Sequence, residues 1–230
     1  MSEIILTGGR TTFGVARLGD TIRRPAGPNA EYVRLLLGHL ETVGFEGAPR
    51  YLGVDDADRE ILTYVHGDVP TELGDWDDRT LQDAARLVRL YHDATSSLHA
   101  TQAATAPEFE IACHNDLSPC NTVFRDGRPV ALIDFDAAAP GSRAHDLGYA
   151  TWLWLDIGNA GRSAAEQRRR LRLFLAAYGS IMGERDLVRA MLARQSQLSA
   201  ECARTGNGAT RDWAEKCLSW TTHHLLRDRP

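Results

Sequence analysis

Apolar and polar positions change rhythm twice along this chain of 230 residues. In the first third, short apolar runs alternate with glycine-rich or acidic turns. Ile4-Ile5-Leu6, Phe13-Gly14-Val15-Ala16-Arg17 and Thr21-Ile22-Arg23 read as three short strands, with Thr7-Gly8-Gly9-Arg10 turning after the first. After Pro28-Asn29 the period becomes helical, and Val33, Leu36, Leu37 and Leu40 share one face of a segment from about Ala30 to Thr42. Two further strands follow, Arg50 to Val54 and Glu60 to Val65.

From Thr80 the helical period dominates. Leu81, Ala84, Val88, Tyr91 and Thr95 line one face, and Thr80 with Asp83 has the form of a capping box. Helices are expected again from about Asp146 onward, including Arg168 to Ser180, Glu184 to Thr205 and Ala209 to Leu226. Between these helical blocks lie Thr122 to Arg125 and Arg128 to Ile133, two apolar runs around Asp126-Gly127, the signature of a hairpin. The pattern describes an α+β chain with a small strand-rich part, residues 1–67, and a larger, mostly helical part, residues 68–230.

The hairpin matters because of what precedes and follows it. Cys113-His114-Asn115-Asp116-Leu117-Ser118-Pro119-Cys120-Asn121 leads in, and Ile133-Asp134-Phe135-Asp136 leads out. Pairing back from the turn sets Arg125 opposite Arg128 and Asn121 opposite roughly Leu132, within diagonal reach of Asp134. An amide oxygen and a carboxylate then converge, hard ligands of the kind Mg²⁺ takes in ones and twos beside phosphate and water. Asp116 is left on the same loop to meet a hydroxyl, and Pro119 keeps that loop from becoming helix. His-x-Asp-Leu-x-x-x-Asn followed by a strand ending in Asp-Phe is the spacing used by phosphoryl-transfer catalysts of the kinase type.

At His114 to Asn121, Ile133 to Asp136, Pro140-Gly141-Ser142-Arg143 and Asp146-Leu147-Gly148-Tyr149, the chain resembles the aminoglycoside phosphotransferase and choline kinase group. The resemblance implies a two-lobed protein-kinase-like fold and an ATP-dependent small-molecule kinase, with ATP and Mg²⁺ as cofactors and a hydroxylated small molecule as acceptor. It implies Asp116 as catalytic base, His114 as support for the catalytic loop, and Asn121 and Asp134 as metal ligands. Asp146 matches a position that buttresses the loop. Gly8 and Gly9 would approach the phosphates, and the backbone of Tyr64 and Val65 would meet the adenine. Asp136 stands where protein kinases have glycine. Trp152, Trp154, Trp213 and Trp220 are candidates for the acceptor pocket or for the core, and Asp75, Asp77, Asp78 and Asp156 for the binding of a cationic acceptor.

Composition narrows the alternatives. A net charge of −5, with 26 basic and 31 acidic residues, offers no basic stripe for nucleic acid. Arg168-Arg169-Arg170 is the one dense basic run, and on a helix its members diverge. Four cysteines without a Cys-x-x-Cys pair fit reduced thiols in a cytoplasmic enzyme, and no apolar run reaches membrane-spanning length. One departure from the family pattern stands out. The kinase-like fold places a Lys on its third strand, gripped by a Glu from the following helix. Here the sole lysine is Lys216, so Arg23 or Arg24 must serve, with Arg23 the expected residue. That departure sustains a second reading, a pseudokinase-like nucleotide-binding protein with a sensing or scaffold role. A two-His, one-carboxylate iron site from His114, Asp116 and His145 is a third.

Overall fold

The computed structural model describes residues 3–6, 14–101, 109–159, 161–179 and 182–226. Strands β1 (Ile4–Ile5), β2 (Ala16–Leu18), β3 (Thr21–Pro25), β4 (Tyr51–Val54) and β5 (Arg59–Thr63) form one antiparallel sheet in the order β1-β2-β3-β5-β4. Helix α1 (Ala30–Thr42) joins β3 to β4 and buries the four residues its spacing selects, Val33, Leu36, Leu37 and Leu40. Each such side chain contributes about 1.5–3 kcal/mol by leaving water. In the pairing of β3 with β5, Arg24 lies directly opposite Glu60.

Helix α2 (Asp78–Thr101) begins two residues before Thr80. The Asp77 carboxylate accepts the Thr80 N–H at 2.7 Å, so Asp77, and not Thr80 with Asp83, caps this helix. Asp83 instead pairs with Arg86 and Arg128. Two small ribbons follow, β6 (Ile111–Cys113) with β9 (Ala139–Gly141), and β7 (Thr122–Arg125) with β8 (Arg128–Leu132). Strands β6 and β9, three residues each, are too short for alternation to reveal in sequence.

Helices α3 (Arg143–Trp154), α4 (Ala164–Tyr178), α5 (Glu184–Thr205) and α6 (Gly208–Thr221) complete the described chain, with one π turn at Thr222–Leu226. The start of α4 lies a turn earlier than expected because Ser163 caps it, accepting the Glu166 N–H at 3.2 Å. The arginine run on α4 does diverge. Arg168 reaches Glu184 and the carbonyls of His224 and Leu225, Arg169 reaches Asp78 and Glu166, and buried Arg170 donates to the Trp76 carbonyl. Asp78 and Asp75 thus each meet an arginine on or just before α4, Asp78 with Arg169 and Asp75 with Arg162.

Trp152 and Trp154 are buried in the core with Tyr91, Phe174 and Leu147, and Trp213 stacks on Trp152 with ring centroids 4.6 Å apart. Close packing of α3 on α5 depends on Gly148, where a Cβ would stand 2.8 Å from the backbone of Ala190 and Met191. Among the described residues no helix is long and apolar enough to cross a membrane.

Candidate active site

The β7–β8 hairpin closes on Asp126-Gly127 with Arg125 opposite Arg128, as the turn requires. Farther from the turn the register slips by one residue between Val123 and Phe124, beside Pro129, which has no N–H to give the ladder. The expected facing of Asn121 with Leu132 is therefore replaced by Thr122 with Leu132. The Ile133 N–H now donates to the Asn121 carbonyl at 2.9 Å, so Asn121 and Asp134 stand one residue closer than the unbulged pairing sets them.

The loop before the hairpin is held from three sides. From below, the fully buried Asp146 on α3 accepts the N–H groups of His114 and Asn115, each at 2.8 Å, and faces His92 Nε2 at 3.2 Å. Burial by itself would raise the Asp146 carboxyl. The hydrogen bond of His92 and the His114 N–H outweigh it and leave its pKa below the usual carboxylate value. From within, His114 Nδ1 accepts the Asp116 N–H, which puts the ring proton on Nε2, where it donates to the Ile133 carbonyl at 3.0 Å. The ring thus ties the loop to the residue preceding Asp134. From the α5 side, Arg194 donates to the Asn115 carbonyl and lies over the Tyr149 ring at 4.6 Å.

Both Asp116 carboxylate oxygens are oriented. Asn121 Nδ2 donates to one at 2.7 Å, and the Tyr149 hydroxyl donates to the other at 3.1 Å. Burial, then the charge of Asp116, pushes the Tyr149 hydroxyl well above its ordinary pKa, so it stays a donor. Tyr149 was not expected among the site residues. The signal lay in its spacing, three residues after Asp146 on one helix, which puts both on the face turned to the loop.

The third strand places its two arginines on opposite faces. Arg23 turns outward with Thr21, donating to the Thr21 hydroxyl at 2.8 Å and lying 3.5 Å from Asp55. Arg24 turns inward and is buried. Its guanidinium meets Glu60 at 3.2 Å, Asp136 at 2.7 Å and Asp134 at 3.9 Å. Strand parity carried this information, because Arg24 shares its face with Ile22, which packs on the core.

At the end of β5 the Tyr64 N–H donates to the Asp20 carbonyl at 2.8 Å, and Arg17 covers the Tyr64 ring at 3.7 Å. Val65 follows at the crossing between the lobes. Gly67 then runs so close to β7 that a Cβ would lie 2.3 Å from the Phe124 carbonyl oxygen, and Asp68 and Phe124 exchange both backbone hydrogen bonds. Gly8 and Gly9 lie outside the described residues.

A divalent cation suits the donors present. Asn121 commits its amide N–H₂ to the Asp116 carbonyl and carboxylate, which leaves the amide oxygen as an acceptor. Asp134 holds a left-handed backbone at φ 63° and projects a carboxyl whose pKa is raised, by burial first and then by the charge of Asp136. Crowded carboxylates and an amide oxygen form a hard, anionic donor set, and one or two such groups beside phosphate and water are what Mg²⁺ takes from a protein. Among the described residues no cluster of three or more His, Cys, Asp or Glu forms a metal cage of its own, and the His145 ring faces Arg194 at 2.9 Å.

Known proteins share this fold. A structure of aminoglycoside 2'-phosphotransferase-IIIa in its GDP complex superposes with a TM-score of 0.64 at 15% identity, covering 97% of this chain and 93% of that one. The ethanolamine kinase of Plasmodium vivax superposes with a TM-score of 0.68 at 14% identity, covering 96% and 81%. These are likenesses of fold, a sheet lobe above a helical lobe as in protein kinases. In sequence, the trifolitoxin immunity protein of Rhizobium leguminosarum bv. trifolii is 31% identical over 252 aligned positions, spanning 96% of this chain and 95% of its relative. The model of the phosphotransferase enzyme family matches residues 33–190, from α1 through the His114–Asn121 loop to α5, and the chain belongs to that family.

Proposed function

We propose that the protein transfers the γ-phosphoryl group of Mg-ATP to a hydroxyl of a small molecule. The observation that carries this reading is Asp116, whose two carboxylate oxygens are oriented by Asn121 and Tyr149 beside the Asn121–Asp134 donor pair. Asp116 accepts the proton of the acceptor hydroxyl as its oxygen bonds to the γ-phosphorus. The bond from that phosphorus to the bridging oxygen breaks, and the nucleoside diphosphate leaves with the electron pair. Asn121 and Asp134 would hold Mg²⁺, which neutralises charge on the phosphates. Arg24, buried and aimed at Asp134 and Asp136, takes the place of the missing lysine and grips the phosphates nearer the nucleoside. Tyr64 and Val65 mark the base-binding edge, residues 1–67 form the nucleotide lobe and residues 68–230 carry the catalytic and acceptor groups.

The acceptor is proposed to be a toxic or antibiotic-like compound, since the full-length relative is an immunity protein against a toxin. The test is a phosphotransfer screen with Mg-ATP and Mg-GTP over hydroxylated antibiotics, toxins, sugars and amino alcohols, repeated with a chelator. Transfer to at least one acceptor, lost on chelation, is expected. Nucleotide binding without turnover across the whole panel would favour the pseudokinase reading instead.

A further inference from the structure

We propose that Glu60 on β5 is the positioning residue for the phosphate-gripping Arg24, and that Arg34 on α1 locks Glu60 in place. The inference rests on the assignment of Arg24 above and adds the acid that holds it. Where a helix-borne acid is expected, α1 presents a guanidinium. Arg34 Nε donates to one Glu60 oxygen at 2.9 Å, while Arg24 Nε donates to the other at 3.2 Å. The acid has moved from helix to strand, and the helix has moved from anion to cation.

Three features make Glu60 more than a passing ion pair. Its side chain is 1% exposed, so an ionised carboxylate there would be costly without both guanidiniums. Its place opposite Arg24 is fixed by strand register, not by a flexible reach. Its pull on Arg24 also opposes that of Asp136 at 2.7 Å and Asp134 at 3.9 Å. Without the Glu60 carboxylate, Arg24 would settle wholly onto Asp134 and Asp136 and compete there with the divalent cation. With it, Arg24 is shared between them, its planar fork held open toward an incoming phosphate. The grip on phosphate is then a property of two paired strands, and α1 acts only through Arg34.

The experiment compares calorimetric affinities for Mg-ADP and adenosine, with the guanine counterparts in parallel, for the full chain and for Glu60→Gln, Arg34→Met and Arg34→Lys. Glu60→Gln is expected to weaken the diphosphate about tenfold, one charge-assisted contact, while the nucleoside changes less than about twofold. Arg34→Met should weaken the diphosphate about threefold, and Arg34→Lys should restore it. Diphosphate affinity unchanged in both Glu60→Gln and Arg34→Met overturns the inference. Equal losses for diphosphate and nucleoside overturn it as well, since they mark a general structural defect. If circular dichroism shows Glu60→Gln unfolded, the Arg34 pair decides by the same criteria. A wild-type chain that binds neither diphosphate overturns the donor-site reading itself, and this inference with it.

Discussion

Replacing Asp146 by Asn removes one charge and almost no volume at the point where the loop carrying Asp116 is anchored. One carboxylate oxygen accepts the Asn115 N–H, while the other accepts the His114 N–H and faces His92, all inside a fully buried site. An amide has one acceptor oxygen, so in either orientation one backbone N–H of the loop faces an N–H₂ group. A buried donor left unsatisfied costs about 1–3 kcal/mol, and a hydrogen bond to a charged group contributes about 1.5–3 kcal/mol. A loss of about 3 kcal/mol of stability is expected for Asp146→Asn at neutral pH, measured by urea denaturation. The loop carrying Asp116 should shift as it relieves the clash, and a displacement near 1 Å at a reacting group costs about a hundredfold in kcat. Because the folded Asp146 titrates below its ordinary value of 3.8, its contribution is complete above that pH and disappears as pH falls through the folded value. The stability gap between wild type and Asp146→Asn should therefore be constant from neutral pH down to about 4 and close below it. A variant within about 0.5 kcal/mol of wild type at neutral pH, with unchanged kcat, would refute the anchoring role.

Asp116→Asn should lower kcat by about 10²–10⁴-fold and leave Mg-ADP affinity within about twofold, checked by single-turnover transfer and calorimetry. Arg24→Lys should raise the nucleotide Kd about tenfold, because an ammonium cannot meet Glu60 and phosphate as a fork does, whereas Arg23→Ala, on the outward face, should change it less than about twofold. Gly67→Ala forces a Cβ to within 2.3 Å of the Phe124 carbonyl oxygen and 2.6 Å of Val123, and should cost on the order of 3 kcal/mol in thermal or urea unfolding.

How much the sequence disclosed follows the range over which each feature is decided. Helix α1 was legible residue for residue because its apolar face is a local repeat, and the same holds for α5 from Glu184 to Thr205. The hairpin turn was legible because Asp-Gly decides it within two residues. The bulge beside Pro129 was not, since it depends on how two strands share their remaining hydrogen bonds, and it moved Asn121 by one position. Inward Arg24 was separable from outward Arg23 by parity with Ile22, a signal blurred by the three-residue span assigned to that strand. Glu60 was beyond reach, because its partnership with Arg24 is a register between strands 36 residues apart.

These ranges divide the site into two mechanical units. The proposed base, the candidate metal ligands and their supports belong to the helical lobe and are joined through backbone groups: Asp146 to the loop N–H groups, His114 to the Ile133 carbonyl, and Ile133 to Asn121. Backbone anchors of this kind are indifferent to surface substitution, so Asp116 and Asp134 keep their spacing whatever residues the outer helices carry. Arg24 belongs to the other unit and hangs from the sheet through Glu60. It reaches the first through the Asp136 carboxylate at 2.7 Å and Asp134 at 3.9 Å, with Asn29 on the Ala138 carbonyl at 2.6 Å as a further tie between the two. A lysine, with one compact charge, cannot meet Glu60 and Asp136 from a single buried position as the guanidinium fork does. Arg24, Glu60 and Asp136 together therefore couple the sheet to the helical lobe, and replacing any one of them alone should weaken that coupling.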